Sequence, residues 1–213
     1  IAMKLSIDPL DLRIMNAAKE GTRRANNIIN PPIGCIETAL AAKEHEHYNA
    51  PLGGPNRGRG VASGFWINGT GAACATANVN YDGTVNLTIG SMDIGGTRPA
   101  AAQQFAEVLG ISAESVLPQV GDTDSIGYTS MTGGSGAAFK TGWASFEAAQ
   151  DVKRQMIERA ALIWDTDVDQ ITFADGVFQH AADSELKASF VELSARLSET
   201  GGPIVGRANL DPV

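Results

Sequence analysis

With 213 residues, 43% hydrophobic and 19% charged, the chain has the balance of a globular protein long enough to bury a core. A net charge of −8 argues against non-specific nucleic-acid binding, and no apolar run reaches the roughly 18 residues that a membrane helix needs. Two cysteines, Cys35 and Cys74, make no disulfide framework, four-ligand metal site or cluster, which fits a reducing, cytoplasmic setting.

The N-terminus carries no signal-peptide pattern, and Ile1 in place of an initiator methionine is expected to be a cut end. Residues 7–20 read as a short helix, with Asp8 as N-cap, Pro9 in the first turn and Gly21 as the stop. Residues 35–48 are helical in composition, and 51–60 (PLGGPNRGRG) read as a linker. The first 60 residues are therefore expected to form a helical segment, and 61–213 a separate domain. From Val61 the period shortens. VASGFWING, AACATANVNYDG and TVNLTIGS read as three strands, the last two joined by a turn at Tyr81-Asp82-Gly83. TRPAAAQQFAEVLG reads as a helix ended by Gly110, and ESVLPQVGD as a strand that Pro118 assigns to an edge. Residues 137–164 predict a long helix. DQITFADGVFQHA predicts a hairpin around Asp175-Gly176, and SELKASFVELSARLSE a last amphipathic helix. The fold class is α+β, with helices packed on a mixed β-sheet in two layers.

Two glycine loops each open a helix. In GSMDIGGTRPAAAQQF, Gly95 and Gly96 precede Thr97, a suitable N-cap, and Pro99, suited to a first turn. In TGGSGAAFKTG, Thr132, Gly133, Gly134, Ser135 and Gly136 lead into the long helix. A helix start behaves like roughly half a positive charge and offers free N–H groups, so each loop is a candidate anion site even in an acidic protein. Neither loop matches a standard nucleotide frame. The dinucleotide pattern fails because its third position is Phe139, and the phosphate-loop pattern fails because Lys140 follows Phe139 rather than glycine.

The runs DGTVNLTIGSMDIGGTRPAAAQQFAEVLGI and DTDSIGYTSMTGGSGAAFKTGWASFEAAQDVK resemble the molybdenum-binding large subunit of the xanthine dehydrogenase/aldehyde oxidase family, as do SIDPLDLRIMNAAKEG and GRGVASGFW upstream. The resemblance implies a fragment of the second molybdopterin-binding half of such a subunit, with a molybdenum-cofactor-binding-domain fold over 61–213. It implies that Ile94, Gly95, Gly96 and Thr97 in the first loop, with Thr132, Gly133, Gly134, Ser135 and Gly136 in the second, hold a molybdopterin cofactor, in its plain or cytosine dinucleotide form. Two departures stand out. Gly96 replaces a usual glutamine, and Gly136 replaces an arginine frequent in the family. No catalytic residue and no protein metal ligand is assigned to this chain, since the family's catalytic glutamate is expected beyond it. The parent would hydroxylate an aldehyde or N-heterocycle with oxygen from water, partnered by the rest of the molybdenum subunit and by iron–sulfur and flavin subunits or domains. The fragment alone would be inactive. The alternative is a structural or assembly domain of the same fold that has lost the cofactor, a reading the two departures favour.

Other chemistry-bearing residues read as structural. In Glu44-His45-Glu46-His47 the histidines are two apart and diverge on a helix. Asp122 and Asp124 read as loop caps, Asp93 as a turn former, Cys35 as a small buried thiol and Cys74 as a core residue on an alternating strand. Gln104 and His180 read as surface residues, Arg57 and Arg59 as solvated loop residues, and Trp66, Trp143 and Trp164 as core or interface anchors.

Overall fold

A computed structural model of the protein describes residues 1–66 and 69–211. The chain divides into two compact units, Ile1–Phe65 and Trp66–Val213.

The first unit is helical: α1 (Ala2–Leu5), α2 (Pro9–Met15), α3 (Cys35–Glu44) and α4 (Glu46–Asn49). Asp8 caps α2 as its sequence predicts, accepting from the amides of Leu10 and Asp11, and it also accepts the Tyr48 hydroxyl. The helix ends at Met15, short of Gly21, because Asn16 closes it with a side-chain bond back to the Leu12 carbonyl. Arg59 is not a free loop cation: its Nη atoms donate to the carbonyls of Tyr48 and Ala50.

The second unit holds β1 (Ala73–Val79), β2 (Val85–Ile89), α5 (Thr97–Leu109), β3 (Val116–Val120), α6 (Ala137–Ile163), β4 (Ile171–Ala174), β5 (Val177–His180), β6 (Lys187–Ser189), α7 (Phe190–Ala195) and β7 (Ile204–Leu210). The main sheet has the order β3-β2-β1-β7 and is mixed: β1 is antiparallel to β2 and β7, and β2 is parallel to β3. Strand β3, with Pro118, is an edge strand. Alternation along β2 turns Val85, Leu87 and Ile89 inward against Phe105 and Leu109 of α5. Helix α6 lies over the small side chains of β1 and β7. At Gly206 a Cβ would come within 2.5 Å of the Ala148 carbonyl oxygen, so glycine sets how closely this helix approaches the sheet. The remaining strands form an antiparallel sheet, β4-β5-β6, whose Phe173 and Phe178 rings are 4.6 Å apart.

Three expectations change. Residues 61–66 of VASGFWING form no strand, while Ile67 and Asn68 lie outside the described residues. The last amphipathic helix is split: its start pairs with β5 as β6, and α7 begins only at Phe190, where Ser189 and Glu192 form a reciprocal capping box. Strand β7, with no counterpart in the sequence reading, completes the sheet beside β1.

Candidate functional site

Both glycine loops lie at one end of the main sheet. Helix α6 runs antiparallel to β7: Arg159 meets Thr200, Gln155 bonds the Val205 carbonyl, and Asp151 accepts from the Arg207 amide. Strand β7 is parallel to β2, and α5 returns from the end of β2 to the start of its parallel neighbour β3, so α5 and α6 run side by side in the same direction. Their starts are nearly level, since Gln104, seven residues into α5, lies against Gly142, five residues into α6.

The loop roots touch. The Ser91 and Thr141 hydroxyls are 2.5 Å apart, both buried. Thr129 packs against Gly90, and its hydroxyl accepts from the Cys74 amide at 3.1 Å. Ser130 bonds the Ala72 carbonyl through both its amide and its hydroxyl. The two glycine loops of the runs that carried the family resemblance are thus brought to adjoining helix starts.

In the first loop, Ile94, Gly95 and Gly96 are exposed, and a Cβ on either glycine would have nothing within 4 Å. What requires glycine is conformation, φ +99° at Gly95 and +90° at Gly96, where L side chains are strained. Thr97 is not the cap. It is the first helical residue and 5% exposed, and Gly96 occupies the cap position. The capping acceptor is Asp93, a turn former as its sequence suggested. Its Oδ1 accepts from the amides of Gly95 (3.0 Å) and Thr97 (3.1 Å), and its Oδ2 accepts from Arg98 Nε at 2.7 Å. Arg98 first, then the Gly95 amide, holds the Asp93 carboxyl below the usual aspartate range. Arg98 spends only Nε on this pair among the described residues, and its half-exposed side chain leaves the outer nitrogens unpaired.

In the second loop, Gly133, Gly134 and Ser135 are exposed, Thr132 is half-buried and Gly136 is buried. The Gly136 amide turns inward to the Gly133 carbonyl, and no side chain caps α6. Gly69, unsuspected from sequence, lies on this loop: its amide donates to the Gly134 carbonyl at 2.6 Å. A Cβ at Gly136 would overlap the Gly69 carbonyl oxygen, with the carbonyl carbon 2.8 Å away. Close approach explains this glycine, since its φ of −89° suits any residue. Beneath the loop, Lys140 is 2% exposed, and its Nζ donates to the Ser130 carbonyl (2.7 Å), the Ser130 hydroxyl (2.7 Å) and the Met131 carbonyl (2.6 Å). Burial pushes this ammonium below the ordinary lysine range.

The remaining candidates sit elsewhere. Asp122 caps its own turn through the amides of Asp124 and Ser125. His45 accepts from the His47 amide. His180 is half-buried rather than a surface residue, with its ring 3.1 Å from the Thr166 hydroxyl and accepting from the amides of Ala182 and Asp183. Cys74 is buried beside Asn209 as expected, whereas Cys35 is exposed rather than buried, at the start of a helix that buries none of its residues. Trp66 is 75% exposed and so anchors no core within its unit, whereas Trp164 packs against the core. Among the described residues no group of three or more His, Cys, Asp or Glu could hold a metal ion, and no helix is long and apolar enough to cross a membrane.

Residues 36–210 match the profile of the molybdopterin cofactor-binding domain, and the chain belongs to that family. It is 30% identical over 192 residues to a putative xanthine dehydrogenase molybdenum-binding subunit of Escherichia coli (strain K12), covering 82% of this chain and 25% of the relative. It is 32% identical over 186 residues to an aldehyde oxidoreductase molybdenum-binding subunit of Escherichia coli O157:H7, covering 83% and 24%. Quinoline 2-oxidoreductase from Pseudomonas putida 86 shares the fold over 99% of this chain and 31% of its own, with a TM-score of 0.75 at 19% identity. The chain spans about a quarter of the length of the curated relatives it matches.

The local chemistry suits an anionic group. Neither α5 nor α6 has an acidic residue in its first turn. The space over Gly95 and Gly96 is open, and the amides at the start of α6 have no capping side chain. The Gly95 and Thr97 amides are occupied by Asp93 and the Gly136 amide by the Gly133 carbonyl.

Proposed function

We propose that this domain holds the molybdopterin cofactor of a molybdenum hydroxylase, with Ile94, Gly95, Gly96 and Thr97 on one side and Thr132, Gly133, Gly134, Ser135 and Gly136 on the other. One observation carries the reading: the two loops share a root, where Ser91 and Thr141 meet at 2.5 Å, at adjoining starts of parallel helices. Backbone amides and helix ends offer a fixed field to a negatively charged ligand and need no reorganisation when it binds. The outer nitrogens of Arg98 add a charged donor at the first loop. Thr97, buried and with its amide held by Asp93, acts by fixing the backbone of the first loop.

When bound, the cofactor supplies the oxygen-transfer and electron-accepting chemistry. This chain binds, orients and shields it, and no proton-transfer step falls to its residues. The parent reaction in this proposal is oxidative hydroxylation of an aldehyde or N-heterocycle with oxygen from water. The xanthine dehydrogenase and aldehyde oxidoreductase names of its relatives support that class, and their designation as molybdenum-binding subunits supports partnership with the rest of a molybdenum subunit; iron–sulfur and flavin components and a cytoplasmic setting belong to the same proposal. The cytosine dinucleotide form of the cofactor belongs to the same proposal.

The test is the molybdenum and pterin content of the complete subunit purified after molybdate-replete expression. Stoichiometric metal and pterin support the proposal. A preparation blank in both favours the assembly reading, in which Asp93 has closed the first loop for structural purposes alone.

A further inference from the structure

Helix α6 is apolar on two sides. Its inner side, with Ala144, Ala148, Val152 and Met156, is fully buried over the main sheet. A helix that covers one face of a sheet is expected to be polar on its other side. Instead, Phe139, Trp143 and Phe146, spaced i, i+4 and i+7 on the outer side, are 47%, 37% and 41% exposed. Further along, the same stripe is polar, where Arg154 pairs with Asp151 and Glu158. The apolar outer face is therefore confined to the first half of the helix, next to the second glycine loop.

The three aromatic residues form one wall of a groove of about 530 Å³, and Gln103, Gln104 and Glu107 of α5 form the other. Gly142 is its floor, where a Cβ would overlap the Gln104 side chain. The Phe139 and Trp143 rings are 6.0 Å apart, and the Trp143 indole donates to Glu147 at 3.1 Å. Large aromatic anchors inside a polar rim are the composition of a protein interface. The rim is acidic: Glu107 is the charged residue that lines the groove, and neither it nor Glu147 has an ion-pair partner among the described residues. An occupant that fits brings lysine or arginine to meet them.

We propose that this groove is a docking face for the remainder of the molybdenum subunit: an element with an apolar side and a flanking lysine or arginine, from the same polypeptide but outside these 213 residues. The inference rests on the reading of the chain as part of such a subunit. Three observations select this occupant. The chain spans about a quarter of the length of its curated relatives, so most of such a subunit lies outside it and has to pack on it somewhere. The groove begins with Phe139, within a turn of Gly136, so whatever fills it borders the loop that the cofactor proposal uses. A cover joined covalently stays in place at any protein concentration, as the shielding of a bound cofactor requires. A second copy of this face would instead set the same carboxylates against each other.

The experiment uses the complete subunit. Hydroxyl-radical oxidation of Phe139, Trp143 and Phe146 is compared between the native and the urea-unfolded subunit by mass spectrometry. With 37–47% of each residue in solvent, an uncovered groove gives roughly two- to threefold protection, whereas a fitted cover gives about tenfold or more. The occupant is identified by replacing Phe146 with the photo-cross-linker p-benzoylphenylalanine and irradiating a mixture of isotope-labelled and unlabelled subunits. The expected result is about tenfold protection and an adduct within one polypeptide, to a peptide outside these 213 residues that carries a lysine or arginine. Protection no greater than that of an uncovered groove overturns the proposal. So does the absence of an adduct, or an adduct that joins two copies, reaches an iron–sulfur or flavin partner, or falls within the 213 residues. Molybdenum and pterin are measured on the same preparation. A loaded subunit with an uncovered groove sinks this inference alone, and a subunit blank in both with a covered groove sinks the cofactor proposal while the docking face stands.

Discussion

Replacing Gly136 with alanine tests whether the second loop is a built site or a loose turn. The backbone there, φ −89° and ψ −11°, accepts alanine without strain. The obstacle is the backbone of Gly69, whose carbonyl carbon would lie 2.8 Å from the new Cβ and whose carbonyl oxygen would lie closer still. Backbone cannot swing aside as a side chain can. Relief requires Gly69 to withdraw, at the expense of its bond to the Gly134 carbonyl. Overpacking of this kind costs about 1–3 kcal/mol. For a chain of this size that lowers the melting temperature by about 2–12 °C. Circular-dichroism melts of Gly136→Ala and Gly142→Ala make the comparison. At Gly142 the added Cβ would overlap the end of the Gln104 side chain, which is free to rotate, and the helix interior gains roughly 1 kcal/mol from alanine. Gly136→Ala should therefore melt well below wild type and Gly142→Ala at or above it. A Gly136→Ala protein that melts with wild type, or a Gly142→Ala protein that is the less stable of the two, would refute the reasoning.

Gly95→Ala has open space but an unfavourable φ of +99°, so it should cost about 1–2 kcal/mol in denaturant titrations without disturbing Gly69. Phe105→Ala empties the fully buried centre of the core and should lose about 3–5 kcal/mol in the same measurement. The folded Asp93 carboxyl titrates below its ordinary 3.8, so its contribution is present above that value and is lost as pH falls through the lower, folded value. The stability difference between wild type and Asp93→Asn should stay constant from about pH 7 to pH 5 and shrink below about pH 4. A difference that vanished already near neutral pH would contradict the ion pair.

Local signals in the sequence carried the second unit's frame well. The alternation of Val85, Leu87 and Ile89 set β2, Gly110 ended α5, and the spacing over 137–164 set α6. Strand β7 escaped because its register depends on pairing with β1 across more than a hundred residues, and its pattern is interrupted by Gly206, whose purpose is the approach of α6. The helix predicted across 184–199 failed at its start, where pairing with β5 overrides a weak helical pattern and Ser189 resets the helix. At the site, the glycine loops were legible because strand–loop–helix punctuation is local. The roles of Asp93 and Lys140 were not. Asp93 caps from outside the helix it serves, where Thr97 offered a more obvious cap, and Lys140 follows a loop that matches no phosphate-binding frame. Gly69 reaches the loop from a segment more than sixty residues away in sequence, which no local pattern announces.

The most direct measurement is a crystal structure of the complete subunit with its cofactor in place. The account predicts anionic oxygens at hydrogen-bonding distance, about 2.9 Å, from the amides at the start of α6, with Lys140 still seated on Ser130 and Met131 beneath them. A cofactor whose anionic groups lie away from Thr132–Gly136, with those amides covered by protein or water instead, would contradict it.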